Sequence, residues 1–140
     1  MNGWLFAAGC VGLFLLLWAV IERRWRSEAA KLAASRPNLS EAQFLMIVGD
    51  IADPDIAQYL WNELVGYWSP ATPHPDDDFL TDLSIDDEEP QDWLERFCQQ
   101  RGYDWRDWPE WEKGRSTTVR SFAAWLSEGR QKAESTTWTS

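Results

Sequence analysis

Asp76 to Phe97 reads DDDFLTDLSIDDEEPQDWLERF, and the reading of this stretch decides the fold. An apolar hook (Phe79, Leu80, Leu83) precedes the acidic run Asp86 to Glu89. Pro90 then falls where a helix tolerates proline, in its first turn. Acids at that end offset the helix macrodipole. Trp93, Leu94 and Phe97 follow at helical spacing. The stretch therefore predicts a loop that drops apolar side chains into a core and then turns into a helix. Gly102 is placed to end that helix.

Outward from this stretch the chain repeats the helical pattern. Between Asp55 and Trp68, Ile56, Tyr59, Leu60, Glu63 and Leu64 occupy positions i, i+3, i+4, i+7 and i+8, with Glu63 the one polar member. Asp53-Pro54 supplies a capping residue and a first-turn proline. Ser69 to Pro75 (SPATPHP) is a proline-rich loop. Upstream, Ser40-Glu41-Ala42-Gln43 has the spacing of a capping box, followed by Phe44, Ile47, Val48 and Ile51, with Gly49-Asp50 as the stop. Downstream, Trp105, Trp108 and Trp111 recur every three residues around Pro109. They suit a short turn that lays rings onto the core, or an exposed patch for a partner. Ser116-Thr117-Thr118 caps a last helix carrying Val119, Phe122, Ala123, Trp125 and Leu126, with Gly129 as its end. The polar run 130–140 is expected to be disordered. No segment alternates with period two. The expected fold is all-α, with a lead-in helix at 37–52 and a four-helix bundle at 53–129 whose third helix is short.

Residues 1–36 have a different character. Trp4 to Ile21 (WLFAAGCVGLFLLLWAVI) holds 18 residues without charge, Pro, Asn or Gln. As a helix they span roughly 27 Å, close to the hydrocarbon thickness of a bilayer. Trp4, Trp18 and Trp25 lie towards its ends, where indoles favour the interface. Nothing basic precedes the run, as a secretory leader would need, whereas Arg23, Arg24 and Arg26 follow it. Cys10 has too little apolar chain before it for a lipoprotein-type cysteine. Ala8 and Gly12 are four apart, a single small-residue pair of a kind common in membrane helices. The flanking arginines place the C-terminal side in the cytoplasm. The expectation is a single-pass inner-membrane anchor with its N-terminus outside. An alanine-rich helical stem, ended by Arg36-Pro37, would hold the domain off the membrane.

Charge divides the chain in the same place. Of the 140 residues, 1–36 carry five bases and two acids, and the remainder carries eight bases and 21 acids. A domain with that excess of acids repels phosphates, which argues against nucleic acid as a partner. A basic protein surface is the electrostatic complement, although an acidic surface also serves solubility alone. The 11 tryptophans let a short chain bury a large apolar area.

Catalytic patterns are absent from the sequence. His74 is the one histidine and sits between prolines in a loop. Cys10 and Cys98 lie in unrelated settings and form neither a disulfide framework nor a metal spacing. The acids from Asp76 to Asp92 lack the central glycine and alternating ligands of a calcium hand. No catalytic, cofactor or metal residue is expected.

The run Phe79-Leu80-Thr81-Asp82-Leu83-Ser84-Ile85-Asp86-Asp87 resembles the segment before helix II of acyl carrier proteins. There the family pattern is an aromatic or aliphatic residue, then Asp-Leu-Gly-x-Asp-Ser-Leu. Trp93, Leu94 and Phe97 match apolar positions of carrier helix II, and Thr117-Thr118-Val119 matches the opening of its last helix. The resemblance extends over Asp53 to Gly129 and is shared with short, uncharacterised bacterial proteins that carry an acyl-carrier-like domain. It implies the carrier fold and, in the family, phosphopantetheine on the serine of Asp-Ser-Leu. Here Asp86 takes the family's Asp position, Asp87 the serine position and Glu88 the leucine position. Aspartate has no hydroxyl to form the phosphodiester. Ser84 stands three residues earlier, at the family's Gly position, and is a poor substitute. Trp93, Phe97, Trp105, Phe122 and Trp125 are expected to fill the space where a carrier lodges its acyl chain.

The combined expectation is a membrane-tethered, non-catalytic carrier-like module with no cofactor. Its partners would be the bilayer through residues 4–21 and a basic protein, met by Asp86, Asp87, Glu88, Glu89, Asp92 and Glu95. The alternatives are a membrane-localised acyl or peptidyl carrier modified at Ser84, and an assembly subunit whose apolar helix itself binds.

Overall fold

The computed structural model describes residues 3–137 and is all-α. Helix α1 runs Gly3–Ser35, α2 Glu41–Gly49, α3 Pro54–Leu64, α4 Glu89–Arg101 and α5 Val119–Thr137, with a single 3₁₀ turn at Trp105–Asp107. Local chemistry accounts for most boundaries. Ser40 and Gln43 form a reciprocal capping box at α2. Asp53 precedes Pro54 at the start of α3. Gly102 closes α4 in the left-handed region at φ 75°. The Thr118 hydroxyl accepts from the Ser121 N–H at 3.2 Å to start α5. The expected helix at 55–68 is shorter than its apolar pattern, because Val65 to Pro70 folds into turns after Leu64.

One core joins these elements. Ile56, Leu60 and Leu64 of α3, Trp93, Leu94 and Phe97 of α4, and Phe122, Ala123 and Leu126 of α5 are all buried. Phe79, Leu83 and Ile85 enter it from the loop. Aromatic edges meet faces throughout: Trp93 lies 5.8 Å from Phe122, and Phe79 lies 6.1 Å from Trp93. Such pairs add about 0.5–1.5 kcal/mol each to the burial itself. Of the five rings Trp93, Phe97, Trp105, Phe122 and Trp125, four are buried in this core. Trp105 is not; it is exposed, with the Arg106 guanidinium 5.2 Å from its ring centre. The tryptophan triplet thus splits, since Trp108 is buried and Trp111 half-buried.

Three sequence expectations are corrected. The stem does not hold the domain away. Helix α1 is continuous for 33 residues, and its second half belongs to the domain. Ala29 is buried, Leu32 and Ala33 pack against the core, and Trp25 stacks on Trp68 with ring centres 5.1 Å apart. Residues 37–52, by contrast, pack against the domain as their apolar spacing leads one to expect, with Phe44 and Val48 fully buried in the common core.

Gly129 does not end α5. An added Cβ there would collide with Cε2 of Trp108, so glycine in mid-helix admits the indole against the backbone. Finally, residues 130–137 are helical; 138–140 lie outside the described residues. Arg130 pairs with Asp53, Asp55 and Glu134, and the Tyr103 hydroxyl donates to Glu134 at 3.0 Å. These long-range bonds order a segment whose polar composition predicted disorder.

Candidate functional site

The loop before α4 is built by its aspartates. Asp78 Oδ1 accepts from the N–H groups of Leu80 (3.0 Å) and Thr81 (3.1 Å), and Oδ2 from the Thr117 hydroxyl (2.8 Å). Burial would raise its carboxyl, but these hydrogen bonds outweigh it and hold the group below the usual range. Asp76 is lowered chiefly by the hydrogen bond from Arg120 Nε at 2.8 Å.

Asp77 is buried. Arg36 Nε lies 2.6 Å from its Oδ1, Nη2 donates to Oδ2 at 2.7 Å, and the His74 N–H donates to Oδ2 at 3.1 Å. Burial pushes the Asp77 carboxyl up, against the pull of Arg36. The backbone stitches the loop to α5: Phe79 N–H donates to Thr117 O (3.0 Å), and Val119 N–H to Asp77 O (3.0 Å). The chain then turns at Ser84, exposed and left-handed at φ 47°, before reaching Asp86.

The acids beyond that turn have a different environment. Asp86, Asp87, Glu88 and Asp92 are exposed, and Glu89 and Glu95 are half-buried. Glu88 precedes α4 without a side-chain capping bond. Glu88, Asp92 and Glu95 fall on one stripe of the helix, four and three residues apart. Among the described residues none of the six joins an ion pair. Two are turned partly inward: Glu89 stands against the Tyr67 hydroxyl, and Glu95 accepts from Gln91 at 3.1 Å.

The structure thus brings the expected partner-binding acids to one edge of the domain, with the outward charge carried by four of them. Beside Asp87 a cleft of about 220 Å³ opens between Leu80, Pro90, Trp111 and Trp125. Nothing in the sequence marks this recess, because its walls come from three segments far apart in the chain.

Cys98 and His74 both sit in structural settings. Burial pushes the Cys98 thiol up to about 11, so it stays protonated at neutral pH. The His74 ring accepts from the Asp76 N–H at 3.1 Å through Nδ1, as a loop residue. Among the described residues no group of three or more His, Cys, Asp or Glu is placed to hold a metal ion.

The residues expected at a membrane lie along α1. Its apolar window has a mean hydropathy of 2.4 and none of it is buried, so the helix is long and apolar enough to cross a bilayer. Trp4 and Trp18 are exposed, as is Arg23. Arg24 and Arg26 form i,i+4 pairs with Glu28 (3.5 Å) and Glu22 (2.8 Å). Trp25 has a second role, through its stacking on Trp68.

No family model, curated protein or solved structure matches this chain.

Proposed function

We propose that the chain is a membrane-tethered, acyl-carrier-like interaction module without a prosthetic group, which presents the start of α4 to a basic protein partner. The observation that carries this reading is the contrast in pairing. Asp53, Asp55, Glu63, Asp76, Asp77, Glu128 and Glu134 all face arginines, whereas among the described residues the six acids from Asp86 to Glu95 face none. Unpaired like charges gathered on one edge raise the local potential and favour a complementary surface. The adjoining apolar cleft gives such a partner room for one large side chain.

Three features support the carrier-like part. The order of elements, helix α3, a long loop, α4, a short turn and α5, is the order the resemblance implies. Ser84 takes a left-handed φ at the position where the family pattern has glycine. Asp87 stands just before α4, where the attachment serine would be, and offers a carboxylate instead of a hydroxyl. The anchor reading rests on the length and exposure of α1. The arginines after it favour an inner-membrane, N-out topology with the acidic domain in the cytoplasm.

Crosslinking in native membranes, comparing the wild type with the triple variant Asp87→Lys, Glu88→Lys, Asp92→Lys, tests the interaction. The expected result is a salt-sensitive adduct to a lysine- or arginine-rich surface that disappears in the variant. An adduct indifferent to the reversals would sink the reading. Ser84 is exposed on its turn, so carriage is tested separately by incubation with a phosphopantetheinyl transferase and coenzyme A. A mass increase abolished by Ser84→Ala would replace interaction by carriage.

A further inference from the structure

The continuity of α1 has a consequence for where the domain lies. Trp25 is four residues beyond Ile21, the last residue of the apolar run, or about 6 Å along the helix axis. That is within the headgroup layer of a bilayer, which is about 5–7 Å deep on each side. Trp25 stacks on Trp68, so the turn that follows α3 is held at the same level.

Between α1 and this turn runs a groove of about 640 Å³. Its lining includes Trp18 and Ile21, which belong to the apolar run itself, and Tyr67, Trp68 and Pro70 of the turn. Glu22 and Arg26, paired at 2.8 Å, form its charged rim. The domain cannot swing clear of this position while Ala29 is buried and Arg36 holds Asp77.

We propose that this groove seats one phospholipid of the bilayer that α1 crosses. Its acyl chain would lie against Trp18 and Ile21, and its headgroup beside Glu22 and Arg26. The inference rests on the reading of α1 as a membrane span. Lipid is the occupant because the groove is continuous with the lipid-facing side of the span and opens at headgroup depth. Aromatic walls with a polar rim suit that layer, where indole and phenol rings place an apolar body and a polar edge together.

The test uses the full chain in nanodiscs containing a phospholipid with a photoactivatable group near the glycerol end of one acyl chain, with adducts mapped by peptide mass spectrometry. Labelling is expected on residues 66–70 as well as on 4–21. Labelling of 4–21 with none on 66–70 would overturn the seat and leave the anchor standing. Absence of labelling anywhere on α1, with release of the chain by alkaline carbonate, would overturn the anchor and the seat together.

Gly66→Glu supplies a second arm. A Cβ added there meets no atom within 4 Å, so the substitution leaves the core untouched and adds a carboxylate at a residue that lines the groove. Labelling of 66–70 should fall about five-fold relative to 4–21. Unchanged labelling in this variant would also overturn the proposal.

Discussion

Two acidic runs lie seven residues apart, Asp76 to Asp78 and Asp86 to Glu89, and they are nearly alike in composition. Their surroundings are opposite. Each carboxylate of the first run is bonded inside the domain, to Arg120, Arg36 or Thr117. Among the described residues none of the second run meets a cation. The difference arises because the first run lies in the extended stretch that pairs with the start of α5, where backbone donors and arginines converge. The second lies past the Ser84 turn, at a helix end that faces solvent. Density of charge in a sequence therefore says little about use. What separates a structural aspartate from one left free at the surface is the set of donors that the fold brings to it.

The sharpest way to break the comparison is Asp77→Ala. It leaves the Arg36 guanidinium, only 14% exposed, without its counter-ion. Losing one partner of a buried pair costs about 3–5 kcal/mol. Thermal unfolding of the full chain in detergent micelles should show a large drop, and the second half of α1 should detach from the domain. A loss as small as that for Asp87→Ala would mean that the two runs do not differ as described.

Gly129→Ala comes next. On helix propensity alone alanine should stabilise α5 by about 1 kcal/mol. The indole of Trp108 occupies the space of the new methyl, so overpacking should reverse the sign and cost about 1–3 kcal/mol. Trp108→Phe in the same background should restore part of the loss, and unfolding of the single and double variants checks both signs.

Gly129 also shows where sequence reasoning stops. A glycine late in an amphipathic helix reads as a terminator, and only the approach of Trp108, 21 positions earlier, reveals its role. The local elements were readable because their causes are local: the capping box at Ser40, Pro54 and Pro90 in first turns, Gly102 as a stop, and the apolar stripes of α3 and α4. The exposed position of Asp86 to Glu88 was readable for the same reason. The joining of α1 to the domain was not, since Ala29 suits a solvated stem and Trp25 a bilayer interface equally well. Arg130 was missed because its partners Asp53 and Asp55 lie at the start of another helix.

The pairing of Asp55 gives a smaller, pH-dependent test. Burial would raise this carboxyl, but hydrogen bonds from Arg101 and Arg130 outweigh it and hold it below its ordinary value. A group lowered on folding contributes stability above its unfolded value of about 3.9, and that contribution fades as pH falls through the lower folded value. Asp76 and Asp78 act in the same sense. Asp77 acts in the opposite sense: raised by burial, it binds its proton more readily in the folded chain than in the unfolded one. The expected outcome is a net loss of stability below about pH 4. Asp55→Asn should flatten that acid limb while lowering the plateau at neutral pH, as followed by denaturant unfolding across pH.

The smallest effect on stability should come from reversing the second run. Asp87→Lys, Glu88→Lys and Asp92→Lys break no ion pair and remove mutual repulsion between neighbours on one helix edge. Against this, positive charge in the first turn opposes the macrodipole. The two effects are each a few tenths of a kcal/mol to about 1 kcal/mol and have opposite sign, so the unfolding midpoint should move little. A marked destabilisation would show that these acids hold the fold as Asp76 to Asp78 do. If instead stability is kept while crosslinking to a basic partner is lost, the edge serves recognition, because a surface that can be inverted without harm to the fold has its charge for something outside it.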